Sequence, residues 1–241
     1  MKFILYFFLS FFFVSSIYSQ KTENKKYTSV DSEEEGINSY EKYNSRLGGD
    51  SIRYVKKGLK CNGMVKDNYP NGALKHKGYY VDGVLNTIYN NYWETGQEER
   101  SFKVKDPKAS EMIIYYKDGK LRSKIEYLKS LPLKDEEYFP NGKMESYDEY
   151  DKSFDYAIIS KVFFENGQLQ TIVEMTDKKN GLFHSKEYFE DGKIKEEGSY
   201  KFIPGLGDMR KIDKWSIYSE SGKLLTEEFY DNGSLTDEKT Y

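Results

Sequence analysis

The sequence predicts an all-β fold: an elongated single-layer antiparallel meander of tandem β-hairpin repeats behind an N-terminal signal segment. Three observations lead there. First, an aromatic doublet recurs before an Asx-Gly step, as Tyr115-Tyr116-Lys117-Asp118-Gly119-Lys120-Leu121 and Tyr138-Phe139-Pro140-Asn141-Gly142-Lys143-Met144. It returns as Phe163-Phe164-Glu165-Asn166-Gly167-Gln168-Leu169 and Tyr188-Phe189-Glu190-Asp191-Gly192-Lys193-Ile194, with looser copies at Tyr69-Pro70-Asn71-Gly72, Tyr92-Trp93-Glu94-Thr95-Gly96 and Phe229-Tyr230-Asp231-Asn232-Gly233. Second, the main turn glycines Gly72, Gly96, Gly119, Gly142, Gly167, Gly192 and Gly222 are separated by 24, 23, 23, 25, 25 and 30 residues, a repeat-array period. Third, helical periodicity is weak, and the chain is 37% hydrophobic against 32% charged. Such a composition cannot fill one thick core, whereas 23 Tyr and 15 Phe supply enough apolar area to cover a thin sheet.

From the N-terminus, Met1-Lys2 and the apolar run Phe3 to Val14, ending in Ser15-Ser16-Ile17-Tyr18-Ser19, read as a cleavable export signal over residues 1–19. The run is shorter than the roughly 18–20 residues a bilayer span needs, so no membrane span is expected after cleavage. No Cys follows it as a lipoprotein anchor would require. Residues 20–50, with Glu33-Glu34-Glu35 and the breaker Leu47-Gly48-Gly49-Asp50, read as a poorly ordered linker. Residues 51–241 form the repeat domain. Half-period turns are expected at Asn62-Gly63, Asp82-Gly83, Asn180-Gly181 and Asn232-Gly233, and Ile203 to Asp208 reads as an inserted loop.

Asn-Gly and Asp-Gly suit a two-residue type I′ turn, whose two central residues both need positive φ. That register pairs Phe189 with Ile194, Tyr116 with Leu121, Phe139 with Met144, Phe164 with Leu169, Tyr69 with Leu74, Tyr80 with Leu85 and Tyr230 with Leu235. Each is an aromatic–aliphatic cross-strand pair worth roughly 0.2–1 kcal/mol. Neighbouring strand residues face opposite sides, so the second ring of each doublet is expected to be structural. The other face would carry Tyr79, Tyr92, Tyr115, Tyr138, Phe163, Tyr188 and Phe229 among Lys and Glu. These seven are the candidate binding face.

The units resemble the MORN-repeat variant family, whose repeats look like Tyr-Tyr-x-Asn-Gly-x-Leu followed by a strand, a turn and Gly-x-Trp/Phe-x-x-Tyr. The first half is carried by Tyr115 to Leu121, Tyr138 to Met144, Phe163 to Leu169, Tyr188 to Ile194 and Phe229 to Leu235. The second half is carried by Gly181 to Tyr188, and in part by Trp215-Ser216-Ile217-Tyr218. The resemblance runs over roughly residues 57–241. It implies a single-layer hairpin array used for binding, and bacterial relatives are often labelled antitoxin components of toxin–antitoxin systems. It carries no catalytic residues to transfer.

The catalytic inventory is thin. His76 and His184 are the only histidines and Cys61 the only cysteine. They form no metal spacing, so no metal or cofactor is expected. Both histidines are expected at the surface, and Cys61 as an inert apolar residue. Glycosidase-like pairs could be assembled from Glu187 with Glu196 or Glu227 with Glu228, but an open sheet offers no buried cleft to raise a carboxylate's pKa. The net charge of −3, near −4 after signal removal (36 basic against 40 acidic), lacks the basic face that nucleic acid requires. The expected function is that of an exported, non-enzymatic interaction scaffold in the periplasm, cell envelope or outside the cell, with a protein partner. An antitoxin-like neutraliser is the second reading and glycan binding the third. The competing view is that the rings only cover one another along a thin sheet.

Overall fold

The computed structural model describes residues 39–241 apart from 56, 154 and 155; the signal segment and residues 20–38 lie outside the described residues. Among the described residues fifteen strands follow one another in the order β1 (Gly63–Asn68), β2 (Leu74–Val81), β3 (Val84–Tyr92), β4 (Glu98–Val104), β5 (Ala109–Tyr115), β6 (Leu121–Leu128), β7 (Leu131–Tyr138), β8 (Met144–Tyr150), β9 (Ala157–Phe163), β10 (Leu169–Asp177), β11 (Leu182–Tyr188), β12 (Ile194–Ile203), β13 (Asp208–Tyr218), β14 (Leu224–Asp231) and β15 (Ser234–Thr240). Spatial order equals chain order, in one open antiparallel sheet. At about 4.8 Å per strand, such a sheet is about 70 Å across. Alternate turns fall on alternate edges. The main turns from Gly72 to Gly222 line one edge, and the half-period turns line the other.

The expected register holds at two turns and fails at the main ones. Asp82 (φ 50) and Gly83 (φ 81), and Asn232 (φ 48) and Gly233 (φ 90), form two-residue turns, so Tyr80 faces Leu85 and Tyr230 faces Leu235; Lys129 (φ 53) and Ser130 (φ 68) form another between Leu128 and Leu131. The loop after Phe139 is built differently. The Gly142 N–H donates to the Phe139 carbonyl (2.8 Å), and the Phe139 N–H donates to the Lys143 carbonyl (2.8 Å). Gly142 alone has positive φ there (85°). This is a three-residue loop, a type I turn closed by a left-handed glycine. The same bonds close the loops after Tyr69, Trp93, Tyr116, Phe164, Phe189 and Ser219. The pairs are therefore Tyr138 with Met144, Tyr115 with Leu121, Phe163 with Leu169, Tyr188 with Ile194, and Asn68 with Leu74. Two causes favour the longer loop. Pro70 and Pro140 hold the φ that the first central position of a type I turn needs. The Asx side chain also accepts from the backbone two residues on, as Asn141 does from Lys143 (2.9 Å) and Asp191 from Lys193 (3.0 Å).

Residues 39–50, expected to belong to the linker, fold onto the sheet. Two short 3-10 turns, Glu41–Tyr43 and Ser45–Leu47, bury Tyr40, Glu41, Asn44 and Leu47. Residues 51–62 continue the cover, with the Arg53 N–H on the Gly83 carbonyl (2.9 Å) and the Cys61 N–H on the Arg53 carbonyl (3.0 Å). Beneath lies the main core: Leu47, Cys61, Tyr80, Leu85, Tyr89, Phe102, Met112 and Tyr127. A smaller cluster of Val173, Phe183 and Phe202 sits farther along, with Tyr156 over it. As expected, Cys61 is buried and unpaired in a disulfide. The surface expectation for His76 is overturned. It is fully buried, stacked on Tyr40 (ring centroids 3.6 Å apart), and bonded to Asn91 (2.7 Å) and Tyr80 (3.0 Å). Burial pushes its pKa down to about 4.

Candidate functional site: an aromatic row along one edge

The revised register changes the work of each ring. The second ring of the doublet closes its loop and reaches the next hairpin: the Tyr69 hydroxyl donates to the Tyr92 carbonyl (2.8 Å), and the Tyr116 hydroxyl to the Tyr138 carbonyl (2.6 Å). Loop side chains bind the neighbouring loops in the same direction. The Lys120 ammonium donates to the Pro140 carbonyl (2.7 Å), the Asn141 amide to Glu165 (2.9 Å), Lys143 to Asn166 (2.6 Å) and Lys193 to Glu220 (2.8 Å). The array is thus stapled along the main-turn edge.

The first ring takes the aliphatic partner that had been expected for the second. Tyr115, Tyr138, Phe163 and Tyr188 occupy equivalent positions, each opposite Leu121, Met144, Leu169 or Ile194, and each is half-buried. Tyr92 stands in the same place opposite Glu98. Equivalent strands are two apart, so the rings recur about every 10 Å. Around them the same face carries charge pairs, Lys134 with Glu149 (3.7 Å) and Lys186 with Glu197 (3.7 Å). The Tyr138 hydroxyl donates to Glu136 (2.8 Å); burial and then that bond push its pKa up to about 12. Burial also raises Tyr92 and Tyr115.

Two expected members lie off the row. Tyr79 faces Met64 near the opposite edge, and Phe229 sits between Lys214 and Asp237, also toward the half-period edge. Phe229 precedes the Asn232-Gly233 turn, which belongs to the other set of turns. The equivalent ring of the last main turn is Tyr218, which pairs with Leu224. Sequence reasoning missed it because Ser219 replaces the second aromatic, although the spacing to Gly222 gives it away.

The carboxylate pairs are tied up in ion pairs and hydrogen bonds. Glu187 and Glu196 are cross-strand partners as expected. Each holds a lysine, Lys195 on Glu187 (2.6 Å) and Lys211 on Glu196 (2.7 Å). Glu227 and Glu228 face opposite sides of the sheet: Glu227 binds Lys214 (2.8 Å), and Glu228 accepts from Tyr230 (2.8 Å). Among the described residues no group of three or more His, Cys, Asp or Glu is placed to hold a metal ion, and no helix is long and apolar enough to cross a membrane.

One hairpin with its main turn is the repeating unit, and residues 110–129, 184–202 and 214–232 match the MORN repeat variant model. The chain carries repeats of the MORN variant family. Each match covers one hairpin, β5–β6, β11–β12 or β13–β14. The MORN repeats point to a repeat protein with a protein- or membrane-binding role. No curated protein matches the chain. Among solved structures, Staphylococcus aureus TarM is 14% identical in a mutant form, covering 67% of this chain and 26% of its own, with a TM-score of 0.29. A Bacteroides fragilis protein of unknown function is 9% identical over 67% of this chain and 96% of its own, with a TM-score of 0.17. This chain spans about a quarter of TarM. At these scores the likenesses carry no argument.

Proposed function

We propose that the protein is an exported, non-enzymatic scaffold that holds a protein partner in the cell envelope along the row Tyr92, Tyr115, Tyr138, Phe163, Tyr188 and Tyr218. The observation that carries this reading is the even row of half-buried rings on a stretch of single-layer sheet that no other described residues cover. Tyr loses little rotamer freedom on binding, so such a row suits recognition. A ring about every 10 Å offers successive anchors to a segment running across the strands. Export rests on residues 1–19 of the sequence.

The test is cross-linking and capture from cell-envelope extract by the full chain and by the triple variant Tyr115→Ala, Tyr138→Ala and Tyr188→Ala. A partner captured by the former and lost from the latter, with far-ultraviolet circular dichroism unchanged, is the expected result. Undiminished capture by the triple variant contradicts the row. Growth rescue on co-expression with a neighbouring toxic gene product would assign the antitoxin reading instead, and retention on a carbohydrate array the glycan reading.

A further inference from the structure

On the face opposite the aromatic row, β12, β13 and β14 assemble a site around Trp215. Strand β13 bulges against β12, so that Glu197 pairs with Ser216 but Ser199 with Ile212. Asp213 in the bulge takes a φ of 55, an unfavourable value for a residue with a side chain. The bulge lays the indole of Trp215 over Gly198, where a Cβ would stand 2.2 Å from the ring. Only glycine permits that approach. The indole N–H donates to the Ser199 carbonyl (3.2 Å), and Tyr200 packs edge-on at 4.8 Å.

The Lys211 ammonium lies over this platform, 4.0 Å from the Trp215 ring centre and 5.1 Å from that of Tyr230. It is 2.7 Å from a Glu196 oxygen and 3.8 Å from a Glu228 oxygen. Two ring faces and two carboxylates surround one cation, leaving a surplus negative charge. Lys211 reaches the site on a flexible four-carbon stem and is itself partly exposed. A quaternary ammonium has the geometry these faces select. It needs no hydrogen bonds, is cheaply desolvated, and is drawn to ring faces and carboxylates together.

We propose that Trp215, Tyr230, Glu196 and Glu228 form a binding site for a quaternary alkylammonium group, and that Lys211 is a built-in competitor that vacates it. The site does not rest on the aromatic row, and variants at one leave the other intact. Choline as a free cation and choline as a phospholipid headgroup present the same chemistry. The experiment titrates the full chain with choline chloride, against sodium chloride at equal ionic strength, and follows the indole N–H resonance of Trp215; the chain has two Trp, and Trp93→Phe assigns the signal.

Lys211→Ala is expected to bind choline saturably and roughly tenfold more tightly than the unaltered chain. The double variants Lys211→Ala with Glu196→Gln, and Lys211→Ala with Glu228→Gln, each lose that gain while keeping the β-sheet circular dichroism spectrum. Co-sedimentation of Lys211→Ala with phosphatidylcholine vesicles, competed by choline, would identify the headgroup as the source; its absence, with choline binding intact, identifies a free cation. A non-saturable shift, equal affinity with and without Lys211, or vesicle binding that choline does not compete overturns the proposal.

Discussion

The covered N-terminal strands and the uncovered middle of the sheet solve the thin-sheet problem in opposite ways. One continuous row of paired residues makes the comparison direct: Val65, Gly78, Tyr89, Phe102, Met112, Ile125, Asp135, Asp148, Ser160 and Val173 face the same side. Under residues 39–62 the row is aromatic and aliphatic, with Tyr89 stacked on Phe102 at 5.3 Å. Beyond the cover it turns to carboxylates. Asp135 and Asp148 are cross-strand partners, and Asp135 Oδ1 is buried with no hydrogen-bond partner. Burial, then the neighbouring Glu137 and Asp148, push the Asp135 pKa up to about 8, and burial also raises Asp148. A single layer is therefore packed most extensively where the chain returns to roof it. Elsewhere it is held by its ladders and stapled loops, with its faces left for contact.

The largest expected effect breaks the covered side. Phe102→Ala should cost about 3–5 kcal/mol, read as a fall in the urea midpoint. Glycine substitutions sharpen the contrast. Gly142→Ala meets no atom within 4 Å and suffers only its positive φ, about 1–2 kcal/mol. Gly83→Ala has the same backbone penalty and drives its Cβ to 2.4 Å from Ile52 and 2.7 Å from the Arg53 carbonyl of the cover. It should cost clearly more, and it should raise hydrogen exchange across residues 51–62. In the uncovered stretch Asp135→Asn should stabilise the chain by about 1–2 kcal/mol at pH 8 and by nothing at pH 4, as two denaturation series would record. Smallest, Tyr116→Phe removes one hydroxyl staple, about 0.5–1.5 kcal/mol, seen as a small drop in Tm.

The strand order and the main-turn positions were legible because Asx-Gly steps and paired aromatics are local signals; the other edge was less so, since Asn62-Gly63 leads into β1 instead of closing a hairpin and the turns after β4 and β6 carry no Asx-Gly step. The loop type was readable but misread: Pro70 and Pro140 belong in a type I turn, and Thr95-Gly96 and Ser221-Gly222 offer no second residue suited to positive φ. From that one error followed the exchange of roles between the two rings; Phe229 stands in for Tyr218 for a separate reason, because Ser219 hides the doublet of the last main turn. The cover was not legible. Glu41, Asn44 and Arg46 look solvated in the sequence, yet Glu41 is buried against Arg100 and Asn44 caps the second short turn by accepting from Arg46 (3.0 Å). The burial of His76 depends on Tyr40, 36 positions away, and no local pattern announces it. The Trp215 platform likewise needs a bulge between the consecutive strands β12 and β13, which no turn residue announces.

The two regions should also respond to pH with opposite sign. The pKa of His76 is lowered from its ordinary 6.5, so its contribution is complete above about 6.5 and is lost as pH falls toward 4. That of Asp135 is raised from 3.8, so its contribution is complete below about 4 and is lost as pH rises through 8. Native-state hydrogen exchange at pH 5 and pH 8, corrected for intrinsic rates, tests this directly. Acid should loosen residues 39–62 and β2–β3 while β7–β8 hold, and base should loosen β7–β8 while the covered strands hold. Protection that rises or falls together across the whole sheet would contradict the division into a roofed region and an open one.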